Sequence, residues 1–259
     1  MRTEIKGPIA ETVQGAIADE VLRACVHCGM CNATCPTYQL TGDELDGPRG
    51  RIYLIKQILE GEPAGRVTQE HLDRCLSCRA CETTCPSGVE YHRLLDVGRQ
   101  EVAKAVPRPW RERLVRAAIR AVVPYPARLA PLMALGRMVR ELLPDALAGK
   151  LPPKPSASAT AAPKSAAGGP SRHVVQLAGC VQSVAAPHFN AATARVLGRL
   201  GVGVAENPAA GCCGAVSFHL DAVGEARAFA RRNIDAWIAD LDAGAEGILV
   251  NASGCAAFV

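Results

Sequence analysis

The sequence lacks the features of several large protein classes. It has no uninterrupted apolar run of about eighteen residues, so no transmembrane helix is expected. Residues 1–20 contain no apolar segment of the kind found in signal peptides, which indicates a cytoplasmic protein. The formal net charge of +4 is too small to indicate nucleic-acid binding. No Gly-x-Gly-x-x-Gly sequence follows an apolar run, so the fingerprint of a dinucleotide site is also missing.

Aromatic residues are scarce as well, at 4% of the chain, although 49% of the chain is hydrophobic. Such a core must pack through small and aliphatic side chains, and 259 residues can form one large domain or two modest ones. Cysteine, in contrast, is abundant, with twelve residues. Because cytoplasmic thiols are kept reduced, these cysteines predict metal binding rather than a disulfide framework.

Eight of the cysteines form two copies of the pattern C-x2-C-x2-C-x3-C-P, the second fifty residues after the first. The copies contain Cys25, Cys28, Cys31 and Cys35 before Pro36, and Cys75, Cys78, Cys81 and Cys85 before Pro86. Thiolates three residues apart on a turning backbone can all face one iron–sulfur cube, whereas the fourth cysteine of the run reaches the partner cluster. The pattern therefore predicts two [4Fe–4S] clusters with crossed ligands. One is held by Cys25, Cys28, Cys31 and Cys85, and the other by Cys75, Cys78, Cys81 and Cys35.

Other metal chemistry fits this pattern less well. Zinc sites usually combine two C-x2-C pairs, or cysteine with histidine, and close with four tetrahedral ligands. The spacing does not distinguish a [4Fe–4S] cluster from a labile [3Fe–4S] form at either site. No residue is assigned a catalytic role, and His27, His71 and His92 are interpreted as structural.

The pieces around the two cysteine runs predict a helical domain over residues 15–105. In residues 49–60, Ile52, Ile55 and Leu59 share one helical face, and residues 89–105 continue as a second helix. Three arginines lie close to the clusters in sequence and are interpreted as solvated surface residues rather than as groups that tune a potential. They are Arg49, Arg51 and Arg79.

A basic helical segment is predicted next, over residues 106–150. Between 99 and 140 there are ten lysines and arginines against two acidic residues. Trp110, Leu114, Ala118 and Val122 recur at helical spacing, which is typical of a helix that lies on an anionic membrane surface or on a partner. The alternative is a helix that packs this apolar stripe on its own subunit. Residues 151–171 are rich in Pro, Ala and Ser and predict a linker.

An α/β domain is predicted over residues 172–259. Apolar runs at 173–180, 201–206 and 247–255 predict strands of a parallel sheet, with helices at 187–200 and near 220–240. Ligands collect at the carboxyl ends of such strands. The remaining cysteines follow these strands, and they predict a third iron–sulfur site or the lining of a partner or quinone pocket. They are Cys180, Cys212, Cys213 and Cys255.

The double cysteine pattern, followed by a domain with a Cys-Cys-Gly core, resembles the family of glycolate oxidase iron–sulfur subunits. Much of the resemblance lies in the segment HCGMCNATCPTYQLTGDELDGPRGRIYLIKQILEG. It implies a separate flavoprotein subunit that contains FAD and oxidises glycolate to glyoxylate, with electrons passing singly through the clusters to a membrane or quinone acceptor. Equivalent subunits for lactate or anaerobic glycerol 3-phosphate oxidation are the alternatives within redox chemistry. A cluster-based redox sensor is the alternative from another class.

The sequence departs from the family pattern near residue 255. The family's cysteine-rich domain typically ends in C-x2-C, but Cys255 is followed by Ala256, Ala257 and Phe258. We therefore expect this domain to be incomplete and the chain to be a fragment. The predicted fold class is a helical two-cluster ferredoxin-like domain followed by an α/β cysteine-rich domain.

Overall fold

The computed structural model describes residues 1–142, 144–149, 151–153 and 172–259. The predicted linker lies outside the described residues from 154 onward. The chain divides into two compact units, Met1–Pro109 and Trp110–Val259.

The first unit is helical throughout its described residues. Its helices are α1 (Val13–Ala24), α2 (Pro36–Thr41), α3 (Pro48–Leu59), α4 (Arg66–Asp73), α5 (Ala80–Thr83) and α6 (Tyr91–Ala105). Short 3-10 turns at Pro8–Glu11, Met30–Thr34 and Glu44–Asp46 join them. The predicted helices at 49–60 and 89–105 correspond to α3 and α6.

The core of the first unit lies where α1, α3 and α6 pack together. Ile52, Ile55 and Leu59 are all buried, which confirms the predicted apolar face of α3. Helices α3 and α6 approach closely at Gly98, where a Cβ atom would lie only 2.5 Å from Cγ1 of Ile55. This tight scaffold carries the two cysteine loops, one after α1 and one after α4.

The second unit combines helices with a small parallel sheet. It contains α7 (Trp110–Val122), α8 (Pro126–Met138), a 3-10 turn (Arg140–Leu142), α9 (Asp145–Ala148), β1 (Arg172–Leu177), α10 (Gln182–Ala185), α11 (Pro187–Arg199), β2 (Val202–Ala205), α12 (Ala215–His219), α13 (Val223–Asp242), β3 (Ile248–Val250) and α14 (Ser253–Ala256). The strand order is β2-β1-β3 and both pairings are parallel. Val175, Leu177 and Trp237 form much of its core. The predicted fold class is confirmed in its main features: helices in the first unit, α/β structure in the second.

Two predicted strands were too long. The first strand ends at Leu177, before a turn in which Gly179 has φ +75°. The third ends at Val250, and Cys255 lies on α14 rather than at a strand end. The side chain of Asn251 donates to Gln176 and Asn190, at 3.2 and 3.0 Å, which directs the chain away from the sheet after β3.

Helix α7 contacts its own unit through arginines. Arg116 pairs with Asp221 at 3.1 Å, and Arg120 pairs with Glu225 at 2.8 Å. These two arginines are four residues apart and so share one helical face. The face of α7 that meets the cysteine-rich part of the chain is therefore charged rather than apolar.

The apolar residues of α7 point to solvent. Trp110 is 67% exposed and Leu114 is 62% exposed, and Ala118 is exposed as well. Three of the four residues of the predicted stripe are thus exposed, and Val122 is half-buried. None of the helices within the described ranges combines the length and apolar character needed to cross a bilayer.

Candidate iron–sulfur sites

The two cysteine loops repeat the same backbone conformation. His27 and Ser77, each two residues after the first cysteine of its run, have φ of 60° and 54°. Gly29 and Arg79, two residues further on, have φ of 87° and 58°. Left-handed residues at matched positions turn the chain repeatedly in one direction, so the cysteines of each loop converge on one side. A helix begins at or close to each loop's end.

The first site is a cavity beside the first loop. Its cysteines are Cys25, Cys28 and Cys31 of that loop, with Cys81 and Cys85 of the other. The last cysteine of the second loop thus lies with the first three cysteines of the first loop. This is the arrangement that crossed ligation predicts.

The second site is a cavity beside the second loop. Its cysteines are Cys35, Cys75, Cys78 and Cys81. Cys35 comes from the first loop and the other three come from the second. Cys81 lines both cavities, so the two sites are neighbours within the first unit.

Burial raises the pKa values of two thiols of these sites. Burial, with the neighbouring Cys25, raises the pKa of Cys31 to about 11. Burial, with the nearby Glu82, raises the pKa of Cys81 to about 12. Such thiols stay protonated near neutral pH unless a metal displaces the proton, and then binding and folding become coupled.

Each cavity also contains a buried polar nitrogen without a hydrogen-bond partner among the described residues. In the first site it is Nδ1 of His27, and in the second it is Nη2 of Arg51. Burial, aided by Arg49, lowers the pKa of His27, so its ring is neutral near pH 7. Buried donors without partners are rare in folded proteins. The sulfides and thiolates of a bound cluster would accept from Nη2 of Arg51, and from Nδ1 of His27 when that nitrogen carries the ring proton, so the residues of both sites fit such a group.

Tyr91 adds a polar contact at the second site. Its hydroxyl donates to Sγ of Cys75 at 3.8 Å, and burial raises its pKa well above the usual range, so the hydroxyl keeps its proton.

A buried ion network lies beneath the second site. The carboxylate of Asp46 has no solvent exposure; it accepts from Nδ1 of His71 at 2.8 Å and Nη1 of Arg74 at 3.0 Å. Although burial alone raises the pKa of Asp46, these hydrogen bonds outweigh it and lower the pKa. Arg51 donates from Nε to the carbonyl oxygen of His71 at 2.7 Å and from Nη1 to Thr37 at 3.1 Å.

The interpretation of Arg51 as a solvated residue is wrong. Its side chain is 1% exposed, because α3 turns it toward the second site. The sequence does contain a signal: Arg51 precedes Ile55 by four residues and therefore lies on the apolar face of the helix. Asp46 has no comparable signal, since it lies in a turn outside any periodic pattern.

The four cysteines of the second unit also lie together. Side-chain hydrogen bonds join them in the order Cys180, Cys212, Cys213 and Cys255. Donation from the thiols of Cys212 and Cys255 lowers the pKa of Cys213 to about 3. Asn233 holds this loop, because its side chain donates to the carbonyl oxygen of Cys212 at 3.0 Å and accepts from the Gly211 amide at 2.8 Å. A group of four adjoining cysteines, in which the pKa values of Cys213 and Cys180 are lowered, is suited to binding a soft metal.

Comparison with known proteins supplies two domain matches. A 4Fe-4S dicluster domain matches residues 21–89, and a cysteine-rich domain matches residues 174–259. The glycolate oxidase iron-sulfur subunit of Escherichia coli (strain K12) is 54% identical over all of this chain and 63% of its own length. The probable glycolate oxidase iron-sulfur subunit of Bacillus subtilis (strain 168) is 33% identical over 91% of this chain and 57% of its own. The chain thus spans less than two thirds of these relatives, and no solved structure matches it significantly.

Proposed function

Because this chain contains a 4Fe-4S dicluster domain and a cysteine-rich domain and is a relative of glycolate oxidase iron–sulfur subunits, we propose that it is the iron–sulfur electron-transfer subunit of a glycolate-oxidising complex. Residues 15–105 form the two-cluster domain in this proposal. Residues 106–150 form a basic helical segment, and residues 172–259 form the cysteine-rich domain.

The observation that carries this proposal is the composition of the two cavities in the first unit. Each contains three cysteines of one loop and the last cysteine of the other, and Cys81 lines the first cavity as well as the second. The first site would hold its cluster through Cys25, Cys28, Cys31 and Cys85, and the second through Cys75, Cys78, Cys81 and Cys35. A [4Fe–4S] cluster, when bound, supplies a centre that takes up and releases one electron. The cysteine loops fix the two sites beside each other, which favours transfer between them.

The oxidation of glycolate to glyoxylate removes two electrons together, which requires a group such as a flavin. The sequence has no nucleotide fingerprint, so we assign the FAD and the substrate to a partner flavoprotein subunit. This chain would pass the electrons on singly, toward a membrane or quinone acceptor. The identity of the flavoprotein subunit that co-purifies with this chain distinguishes this proposal from the lactate and glycerol 3-phosphate alternatives.

A third iron–sulfur site is proposed at Cys180, Cys212, Cys213 and Cys255. Its support is the row of hydrogen-bonded thiols at one edge of the sheet. Four thiolates are enough for one ordinary cluster.

Anaerobic purification with partner subunits tests the function. We expect about eight irons per chain for the first unit and about twelve if the third site is loaded. The Cys213→Ser variant should lose only the irons of the third site, about four per chain. Adding glycolate should produce EPR signals of reduced clusters, whereas lactate and glycerol 3-phosphate should not.

A colourless protein that binds zinc would contradict the proposal. EPR signals that appear with lactate and not with glycolate would show that lactate is the substrate of the complex. A cluster that is lost on reduction, rather than cycling reversibly, would favour the sensor alternative.

The exposed stripe of α7 (Trp110, Leu114 and Ala118) is proposed to lie on an anionic membrane surface. The exposed Arg111 and Arg113 flank it, which is the composition of helices that bind such surfaces. The double variant Trp110→Ala/Leu114→Ala should lower the partition coefficient onto phosphatidylglycerol vesicles by about tenfold or more, because two large apolar side chains are lost. Sedimentation with vesicles measures this.

The matched control for the membrane test is Val196→Ala, which removes a similarly exposed apolar side chain on α11. It should leave vesicle binding unchanged. Equal binding by the double variant and the wild-type protein would contradict the membrane proposal.

A further inference from the structure

The two sites of the first unit differ in the charges that surround them. At the second site, the guanidinium of Arg51 is 1% exposed and belongs to the cavity lining. Two of its nitrogens donate to the carbonyl oxygen of His71 and to the hydroxyl of Thr37. The third, Nη2, has no hydrogen-bond acceptor among the described residues. It is the one nitrogen of this buried cation that is left to meet a ligand.

Asp46 offsets this cation only in part. Its Oδ1 lies 3.6 Å from Nη2 of Arg51, beyond hydrogen-bond distance, whereas Arg74 donates to its Oδ2 at 3.0 Å. One carboxylate therefore faces two guanidinium groups, of which only that of Arg51 is buried. Charges interact more strongly in a buried environment than in water.

Further donors surround the second loop. The hydroxyl of Tyr91 donates to Sγ of Cys75. Arg99 donates to the carbonyl oxygens of Cys75 and Leu72, at 2.8 and 2.9 Å, and to the hydroxyl of Ser77 at 3.0 Å. Hydrogen bonds to ligand sulfur and positive charge both stabilise the more negative, reduced form of a cluster.

The lining of the first site contains a cation that is paired with a carboxylate instead. Its lining arginine, Arg49, is about one third exposed, and its Nε lies 2.5 Å from Oε1 of Glu44. The ammonium group of Met1 is not part of the lining; it donates to the carbonyl oxygens of Leu22, at 2.8 Å, and of Cys25. A cation paired with a carboxylate contributes little field at the cavity.

We propose that Arg51 makes the second site the site of higher reduction potential, so that a single electron entering the first unit comes to rest at the cysteines of the second loop. This inference relies on the cluster assignment proposed above. It gives the electron a direction, from the first site to the second, and it makes Arg51 a tuning residue although it is not a cluster ligand.

Redox titration of the full chain with its clusters, followed by EPR, tests the inference. The signal of each site is identified beforehand with the variants Cys85→Ser and Cys35→Ser. Arg51→Gln should lower the equilibrium constant for reduction of the second site by about tenfold, which is ~59 mV for one electron. The potential of the first site should stay unchanged. The control Arg172→Gln, at an exposed arginine of the second unit that is paired with Glu246, should change the potential of neither site measurably.

Tyr91→Phe keeps the test decisive if Arg51→Gln fails to fold or to hold clusters. It removes one hydroxyl from the second site and keeps the ring, and it should lower the reduction constant of that site by about threefold. The inference is overturned if the wild-type first site has the higher potential, or if a variant that retains both clusters leaves the second site's potential unmoved. A wild-type protein without two clusters overturns the proposed function itself, which separates the two failures.

Discussion

The variant Cys85→Ser is expected to damage the cluster of the first site and to spare the second, although Cys85 belongs to the second loop. The reason is that Cys85 lines the cavity of Cys25, Cys28 and Cys31, and is absent from the lining of the other. A [4Fe–4S] cluster that loses one thiolate becomes labile, so the iron content should fall by up to about four atoms per chain. Iron analysis and EPR of the reduced protein measure both effects.

Two further variants serve as matched controls for Cys85→Ser. Cys28→Ser removes a ligand of the same site from the other loop, and the double variant Cys28→Ser/Cys85→Ser should lose no more iron than the more severe single variant. Cys35→Ser should affect the second site instead. An EPR change after Cys85→Ser that is confined to the second site would show that each loop holds its own cluster.

Asp46→Ala is expected to be the most destabilising substitution outside the cysteines. Asp46 has no solvent exposure and contacts Arg74 and His71, with Arg51 nearby. Removing one partner of a buried ion pair leaves a buried charge uncompensated, which costs about 3–5 kcal/mol of unfolding free energy. Urea unfolding of the protein with its clusters measures the loss.

The control for Asp46→Ala is Asp19→Ala, which breaks the exposed pair between Asp19 and Arg23. Exposed pairs of this kind contribute little, so the urea midpoint should hardly move. Equal losses from Asp46→Ala and Asp19→Ala would contradict the assignment of the buried network as a structural support of the second site.

The stability that Asp46 supplies should also depend on pH. Since its pKa in the folded protein is lowered, its contribution is complete above the unfolded pKa of about 4. It is lost as the pH falls through the lower, folded-state value. The gap in urea midpoint between the wild-type protein and Asp46→Asn should therefore be constant near neutral pH and shrink below about pH 4. A gap that grows on acidification would contradict this.

Helix periodicity accounts for much of the fold that could be predicted. The spacing of Ile52, Ile55 and Leu59 is local information, and the helix that it predicts has the expected buried face. The ends of the strands could not be predicted in this way, because the third strand stops where the side chain of Asn251 hydrogen-bonds to residues of β1 and α11. Those partners are far away in sequence, and no local pattern announces them.

The sequence also could not predict which face of helix α7 is exposed. Its sequence is clearly amphipathic, but periodicity does not tell which of two faces meets the rest of the unit. Asp221 and Glu225, about a hundred residues further along the chain, attract Arg116 and Arg120 and leave Trp110 exposed. That choice depends on charges brought together by folding.

The cysteine spacing by itself determined that this chain has two loops suited to cubic clusters, because the distance between thiolates along a short turn is set by covalent geometry. The hydrophobic pattern of the sequence determined the helical character of the first unit and the α/β character of the second. Only the tertiary structure decided which cysteines share a cavity, and that Arg51 is buried beside one cavity while Arg49 is neutralised beside the other. Burial and electric field arise from long-range packing, and a linear pattern of residues does not contain them.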